Sequence, residues 1–276
     1  MNPRRLIHAV TMAAVIAPMA GCVHAAVQVR PADREFERVV SLAQHPLTLH
    51  LARASTGRPL LVYATGDGGW RGKDVDVYRQ LISYDYPLVG FSAPEYLKHL
   101  GKSKTTRPGP LAADYERIIT TAKAALALPA ETAVILVGVS RGADLAVVAA
   151  GQGVLRHELV GVVAVGLTKE EEYVRRFRRR AVGSGPPERV AMMVQLYDYL
   201  PRLGPVPLSV IQSTHDNYLP AADARTLFGP DTSRRQLHPI ESRNHSFTDA
   251  RRQLYEMMHA SIEWVYRLHE HLEVGQ

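Results

Sequence analysis

Cysteine is all but absent: Cys22 is the single one in 276 residues. An intrachain disulfide is therefore excluded, and the fold must rest on its apolar core. Long apolar runs are missing too. The best candidate, residues 6–20, is broken by His8 and Pro18 and is shorter than the roughly 18 residues a membrane span needs. No Gly-Lys-Ser/Thr follows the glycine-rich loop at 65–70, which removes phosphate cradling by that loop. No grouping of His, Asp and Glu has metal-ligand spacing, so chemistry without metal or cofactor is expected. No basic stretch is interleaved with aromatics as in a nucleic-acid module, and no internal repeat is found. What is present is a chain of 46% hydrophobic and 22% charged residues with a net charge of +6. That balance fits one α/β domain with a large core, and an excess of positive charge that favours an anionic membrane surface.

The first residues read as an address rather than as fold. Arg4 and Arg5 precede the apolar run, which ends in Met19-Ala20-Gly21-Cys22. Small residues before a lone cysteine resemble a bacterial lipobox, in which Cys22 is lipidated and becomes the mature N-terminus. Val23-His24-Ala25 offers the competing simple cleavage site. Either route exports the chain to the bacterial envelope, on the periplasmic side, lipid-anchored in the first case and soluble in the second. Residues 1–22 are accordingly read as a signal peptide and 23–45 as a tether with a short helix over 32–42. Residues 46–276 are read as the folded domain.

Within that domain the pattern alternates. Apolar runs at 47–51, 60–64, 86–91, 134–137, 159–167, 207–212 and 235–240 predict strands. Amphipathic stretches at 73–83, 111–128, 143–150 and 248–272 predict helices. Strand-helix alternation predicts a mostly parallel, doubly wound sheet. The stretch 169–203 breaks the rhythm. It carries Glu170-Glu171-Glu172, an arginine-rich run from Arg175 to Arg180, and an apolar segment, 190–200, read as a helix. A helical cap insertion over the site is expected there, with the arginines forming a basic rim toward anionic lipid.

The chemistry centres on Gly138-Val139-Ser140-Arg141-Gly142, which leaves a strand and opens a helix. This is the Gly-x-Ser-x-Gly nucleophile elbow, whose glycines let strand and helix approach while the serine is held exposed. A serine hydroxyl needs a base to take its proton, and the base needs an acid to fix its tautomer. Asp216 and His245 each follow a predicted strand, in the chain order Ser, Asp, His. Glu170 is a fallback acid and His238 a weaker base candidate, inside a strand-like run. His215 lies too close in sequence to Asp216. Asp144 is one helical turn past the serine and points elsewhere. The loop Thr65-Gly66-Asp67-Gly68-Gly69-Trp70 leaves the second predicted strand, where an oxyanion hole draws one of its amides. The backbone N–H groups of Asp67 and Arg141 are the expected donors. Trp70, Met193 and Tyr197 are candidate substrate-side residues.

The loop from Thr65 to Trp70, followed by a helix and a strand containing Pro87-Leu88-Val89-Gly90, resembles the bacterial AcvB/VirJ virulence-protein family. The similarity runs from about 46 to 272 and is best in its first half. The resemblance implies an exported α/β-hydrolase-like protein associated with hydrolysis of lysyl-phosphatidylglycerol and with type IV secretion. It would make Ser140 the nucleophile, Asp216 the acid and His245 the base. Where the family's elbow reads Gly-Tyr-Ser-Phe-Gly, this chain has Val139 and Arg141. The expected function is therefore an exported serine hydrolase of an ester, with an aminoacyl-phospholipid as substrate. A generic carboxylesterase or peptidase, or a non-catalytic binding protein assisting secretion-system proteins, stands as the alternative.

Overall fold

The computed structural model of the protein describes residues 34–42, 45–54, 57–100, 111–178 and 188–274. Cys22 and the leader lie outside the described residues. Eight strands form the central sheet: β1 (Glu35–Leu42), β2 (His45–Ala52), β3 (Leu60–Ala64), β4 (Leu88–Phe91), β5 (Val134–Val139), β6 (Leu159–Val165), β9 (Leu208–Ser213) and β10 (Arg235–Ile240). Their order is β1-β2-β4-β3-β5-β6-β9-β10. β1 pairs antiparallel with β2, and β2 antiparallel with β4; every further pairing in this sheet is parallel. Crossovers run through α1 (Lys73–Ser83), α2 (Ala93–Leu100), α3 (Leu111–Leu126), α4 (Arg141–Gly151) and α5 (Ala221–Phe228). α6 (Arg251–Val274) closes the chain.

Both faces of the sheet are covered, which is why β3, β5 and β6 read as continuous apolar runs rather than alternating ones. Leu60, Val62 and Leu136 pack on one side with Tyr115, Ile118 and Val147 of α3 and α4. Leu61, Tyr63 and Val137 face the other side, with Leu81 of α1 and Met258 and Ile262 of α6. Parallel strands covered in this way bring their carboxyl ends to one rim, where ligands of open α/β sheets bind.

Two stretches differ from the sequence reading. The stretch expected to be a tether with a short helix is, from Glu35 on, an edge strand that pairs along its whole length with β2. Phe36, Val39 and Val40 supply β-propensity, and Val40 and Leu42 reach the core. The folded domain therefore begins before residue 46. The helical cap is also corrected. Residues Glu170–Arg178 (β7) and Glu188–Gln195 (β8) form a two-stranded antiparallel hairpin, followed by a 3-10 helix, Tyr197–Leu203. Met and Leu made 190–200 look helical, but Val190 and Val194 pair across to Arg176 and Glu171, and cross-strand packing overrides weak helix propensity. Of the arginine run, 179 and 180 lie outside the described residues.

Candidate active site

The elbow is built by two close approaches. A Cβ on Gly138 would sit 2.2 Å from the Gly142 carbonyl, and one on Gly142 would sit 2.0 Å from the Ala64 carbonyl oxygen. Only glycine fits either place, so α4 can start directly against β5 and β3. Ser140 between them has φ 53° and ψ −123°, a conformation that costs a residue with a Cβ about 1–3 kcal/mol. Its N–H donates to Val165 O at 2.7 Å, and its carbonyl accepts from Ala143 N at 2.7 Å. The strain is thus held by the sheet on one side and by the helix on the other.

Asp216 follows β9 and its side chain is wholly buried. Its Oδ1 accepts the N–H groups of Tyr218 (2.8 Å) and Leu219 (3.3 Å), and its Oδ2 accepts Gln212 Nε2 (3.1 Å). The remaining partner is His245 Nδ1, 2.6 Å from Oδ2. His245 stands in the loop after β10. There the Asn244 side-chain oxygen accepts Ser246 N–H (3.0 Å), and the buried Phe247 anchors the turn. With Nδ1 on Asp216, the ring's free atom is Nε2, which is buried and has no partner among the described residues. His245 and Ser140 line one cavity of about 190 Å³. Ser140 also lines a second cavity, of about 400 Å³, with Arg141, Met193 and the acidic start of β7.

Asp67 lines both cavities. Neither its N–H nor that of Arg141, the first residue of α4, has a backbone acceptor among the described residues. The Asp67 loop is pinned from behind by Asp74, whose Oδ1 accepts Gly66 N–H at 2.7 Å. Burial holds the Asp74 carboxyl above the usual carboxylate range, and its Oδ2 has no partner among the described residues.

The three substrate-side candidates fare differently. Met193 is half exposed on the cavity shared by Ser140 and Arg141. Trp70 lines neither cavity at Ser140. Its indole lies over Gly90, where a Cβ would come within 2.6 Å, and it stacks on His50 with centroids 3.6 Å apart. It faces a separate groove beside Glu37 and Tyr78. Tyr197 packs against the core instead of lining either cavity, because the 3-10 helix carries it inward. Among the weaker candidates, Glu170 Oε2 accepts Gln195 Nε2 at 2.7 Å. His215 is exposed beside Glu241. Burial pulls His238 below the usual histidine range.

Two residues at the site were not singled out in the sequence. Tyr218 is 66% exposed, lines both cavities, and sets its ring edge-on to His245 at 4.8 Å; its place two residues after Asp216 was the available signal. Gly166, with φ 64°, lies under the imidazole, where a Cβ would come 2.8 Å from His245 Cε1. Its position at the end of β6 was the only hint. The Asp144 carboxyl is held by Thr168. The residue is wholly buried, with Thr168 N–H at 3.1 Å and the Thr168 hydroxyl at 2.9 Å from its carboxyl oxygens. Burial first, and then the charge of Glu171, push its carboxyl well above the usual range.

Residues 59–175 match the family model described as "Bacterial virulence protein (VirJ)". No curated protein sequence matches the chain. Among solved structures, the esterase Pf2001 of Pyrococcus furiosus is similar over 87% of this chain and 95% of its own, at 12% identity and TM-score 0.60. Est1E from Butyrivibrio proteoclasticus is similar over 83% and 98%, at 11% and 0.58. A putative dienelactone hydrolase of Klebsiella pneumoniae is similar over 83% and 98%, at 14% and 0.56. The chain thus has the α/β-hydrolase fold, with Ser140 and the Asp67 loop inside the residues matched by the family model and Asp216 and His245 beyond them.

Proposed function

We propose that this protein is a serine hydrolase that cleaves an ester through an acyl-enzyme. The observation that carries the reading is the His245–Asp216 contact of 2.6 Å, together with an unpartnered Nε2 on the cavity that Ser140 lines. Asp216 fixes the Nδ1–H tautomer, leaving Nε2 as the base. Ser140 Oγ attacks the ester carbonyl as its proton passes to Nε2. Charge collects on the carbonyl oxygen, where the Asp67 and Arg141 N–H groups would each lower the barrier by about 3 kcal/mol. The imidazolium returns its proton to the departing alkoxide, and water repeats the cycle on the acyl-enzyme. Labelling with a fluorophosphonate tests this: an adduct on the wild type that Ser140→Ala abolishes supports it. A folded wild type without adduct overturns it and favours an escort role toward secretion-system proteins.

The substrate we favour is an aminoacyl-phospholipid such as lysyl-phosphatidylglycerol. The larger cavity at Ser140 has four acidic residues, Asp67, Glu170, Glu171 and Glu172, against the two bases Arg141 and Lys169. That excess of negative charge suits a cationic acyl group. Lipidation at Cys22 would hold the enzyme at the membrane where such a substrate resides. Lipid extracts of cells with and without the protein test the assignment: accumulation of the aminoacyl lipid on loss of the protein supports it, and an unchanged lipid profile returns the reading to a generic carboxylesterase.

A further inference from the structure

Arg141 is the elbow residue in which this chain departs from the family's Phe, and its guanidinium has a definite place. Nη1 lies 2.9 Å from Asp67 Oδ1, and Nη2 lies 2.8 Å from Glu171 Oε1. Three segments distant in sequence meet there: the Gly-rich loop after β3, the start of α4, and β7 of the hairpin. Glu171 is turned inward because Glu171 and Tyr173 alternate toward the protein body along β7, with a register irregularity just beyond Glu172. Asp144 lies one turn along α4, and burial with the charge of Glu171 pushes its carboxyl well above the usual range, so Glu171 is set between this carboxyl and the Arg141 cation.

Both terminal nitrogens of Arg141 therefore lie within ion-pair range of carboxylates, while its Nε and Glu171 Oε1 are buried without a hydrogen bond among the described residues. Such a guanidinium is not free to receive a phosphate or carboxylate of a substrate. Its geometry instead couples the two groups whose backbone N–H donors would meet the oxyanion. One donor belongs to Arg141 itself, and the other to Asp67, which its side chain grips. We propose that the Arg141 side chain is a positioning residue that clamps the Asp67 loop and the β7–β8 hairpin to the nucleophile elbow, holding the oxyanion donors in register. The inference rests on the serine-hydrolase reading above. The Asp67 arm is half exposed and weak by itself. The Glu171 arm is largely buried and so less screened by solvent.

The test uses the whole exported protein and a small neutral ester, p-nitrophenyl acetate, so that substrate charge plays no part. Arg141→Ala should lower kcat roughly 10- to 100-fold with KM within about twofold, and added methylguanidinium should restore part of the loss. Arg141→Lys, a point charge that cannot span both carboxylates, should fall between. Glu171→Gln should reduce kcat less than Arg141→Ala, and the double variant should be no slower than Arg141→Ala alone. Hydrogen exchange reads the clamp without reference to turnover: amides of 66–70 and 171–173 should exchange faster in Arg141→Ala, while those of β5 and β6 do not. A folded Arg141→Ala with unchanged kcat, a loss confined to KM, or unchanged exchange at both segments overturns the proposal. Failure of the parent reading is distinguishable, because the wild type itself would then carry no fluorophosphonate adduct; faster exchange at 66–70 and 171–173 would in that case leave a structural tie and refute the catalytic role.

Discussion

His245 Nδ1 and Asp216 Oδ2 are 2.6 Å apart, although 29 residues separate them in the chain. The carboxylate is locked by three further donors, from Gln212, Tyr218 and Leu219, so it cannot follow the imidazole if the ring moves. Asp216→Asn would keep the shape but present an amide N–H or a weaker acceptor to Nδ1. Turnover should fall by about 10³- to 10⁴-fold with the fold intact. Steady-state kinetics and a thermal melt on the same preparation check this.

The imidazole has a second fixed neighbour in Gly166. Alanine there would place its Cβ 2.8 Å from His245 Cε1 and would also have to adopt φ 64°. Gly166→Ala should therefore displace the ring and reduce kcat by about 10²-fold, since ångström-scale misplacement costs that much. It should also lower stability by about 1 kcal/mol or more. Urea unfolding separates the two effects.

Ser140 is strained whether or not it is chemically active. Ser140→Gly should abolish fluorophosphonate labelling and raise stability by about 1 kcal/mol, the relief of φ 53° outweighing the added freedom of the unfolded chain. Ser140→Ala, which keeps the Cβ, should lose activity without that gain. Comparing their urea midpoints decides the matter.

The pH dependence of stability should carry the mark of Asp144. Its folded carboxyl is pushed well above the usual range, so the folded state holds a proton that the unfolded chain releases near pH 4. Stability from this group is complete below the unfolded value and is lost as pH rises toward the raised folded value. Asp144→Asn cannot ionise and should flatten that slope, being neutral or stabilising at pH 8. Urea unfolding from pH 4 to 8 gives the comparison.

Lys123 and Glu158 form a nearly buried ion pair at 2.7 Å, with Ala130 O also accepting from Nζ at 2.7 Å. Lys123→Met should cost about 3–5 kcal/mol by stranding the Glu158 carboxylate. The double variant Lys123→Met/Glu158→Leu should recover much of it. Unfolding free energies of the two show whether stranding, not loss of the pair, is what destabilises.

Much of the fold was readable because covered parallel strands announce themselves as apolar runs, and Val134 to Val137 followed by Gly-x-Ser-x-Gly left little choice of local structure. Residues 35–42 and 170–195 were not readable in the same way. Their strands gain most from a partner strand, β2 or each other, and such long-range pairing leaves only a weak periodic trace. At the site, the order of Ser140, Asp216 and His245 is visible in the chain. The direction of Trp70 depends on the absent side chain of Gly90, and the inward seat of Tyr197 on a 3-10 turn. Neither has a local signature.

The hairpin β7–β8 forms a two-stranded sheet of its own rather than extending the eight-stranded one, yet its first residues wall the larger cavity beside Ser140. Its outer length can therefore be shortened, extended or recoloured by mutation without disturbing the ladder that aligns Ser140, Asp216 and His245. Selection can retune what the site accepts while inheriting the placement of Ser140, Asp216 and His245 unchanged, so closely related chains are expected to diverge first at this ribbon.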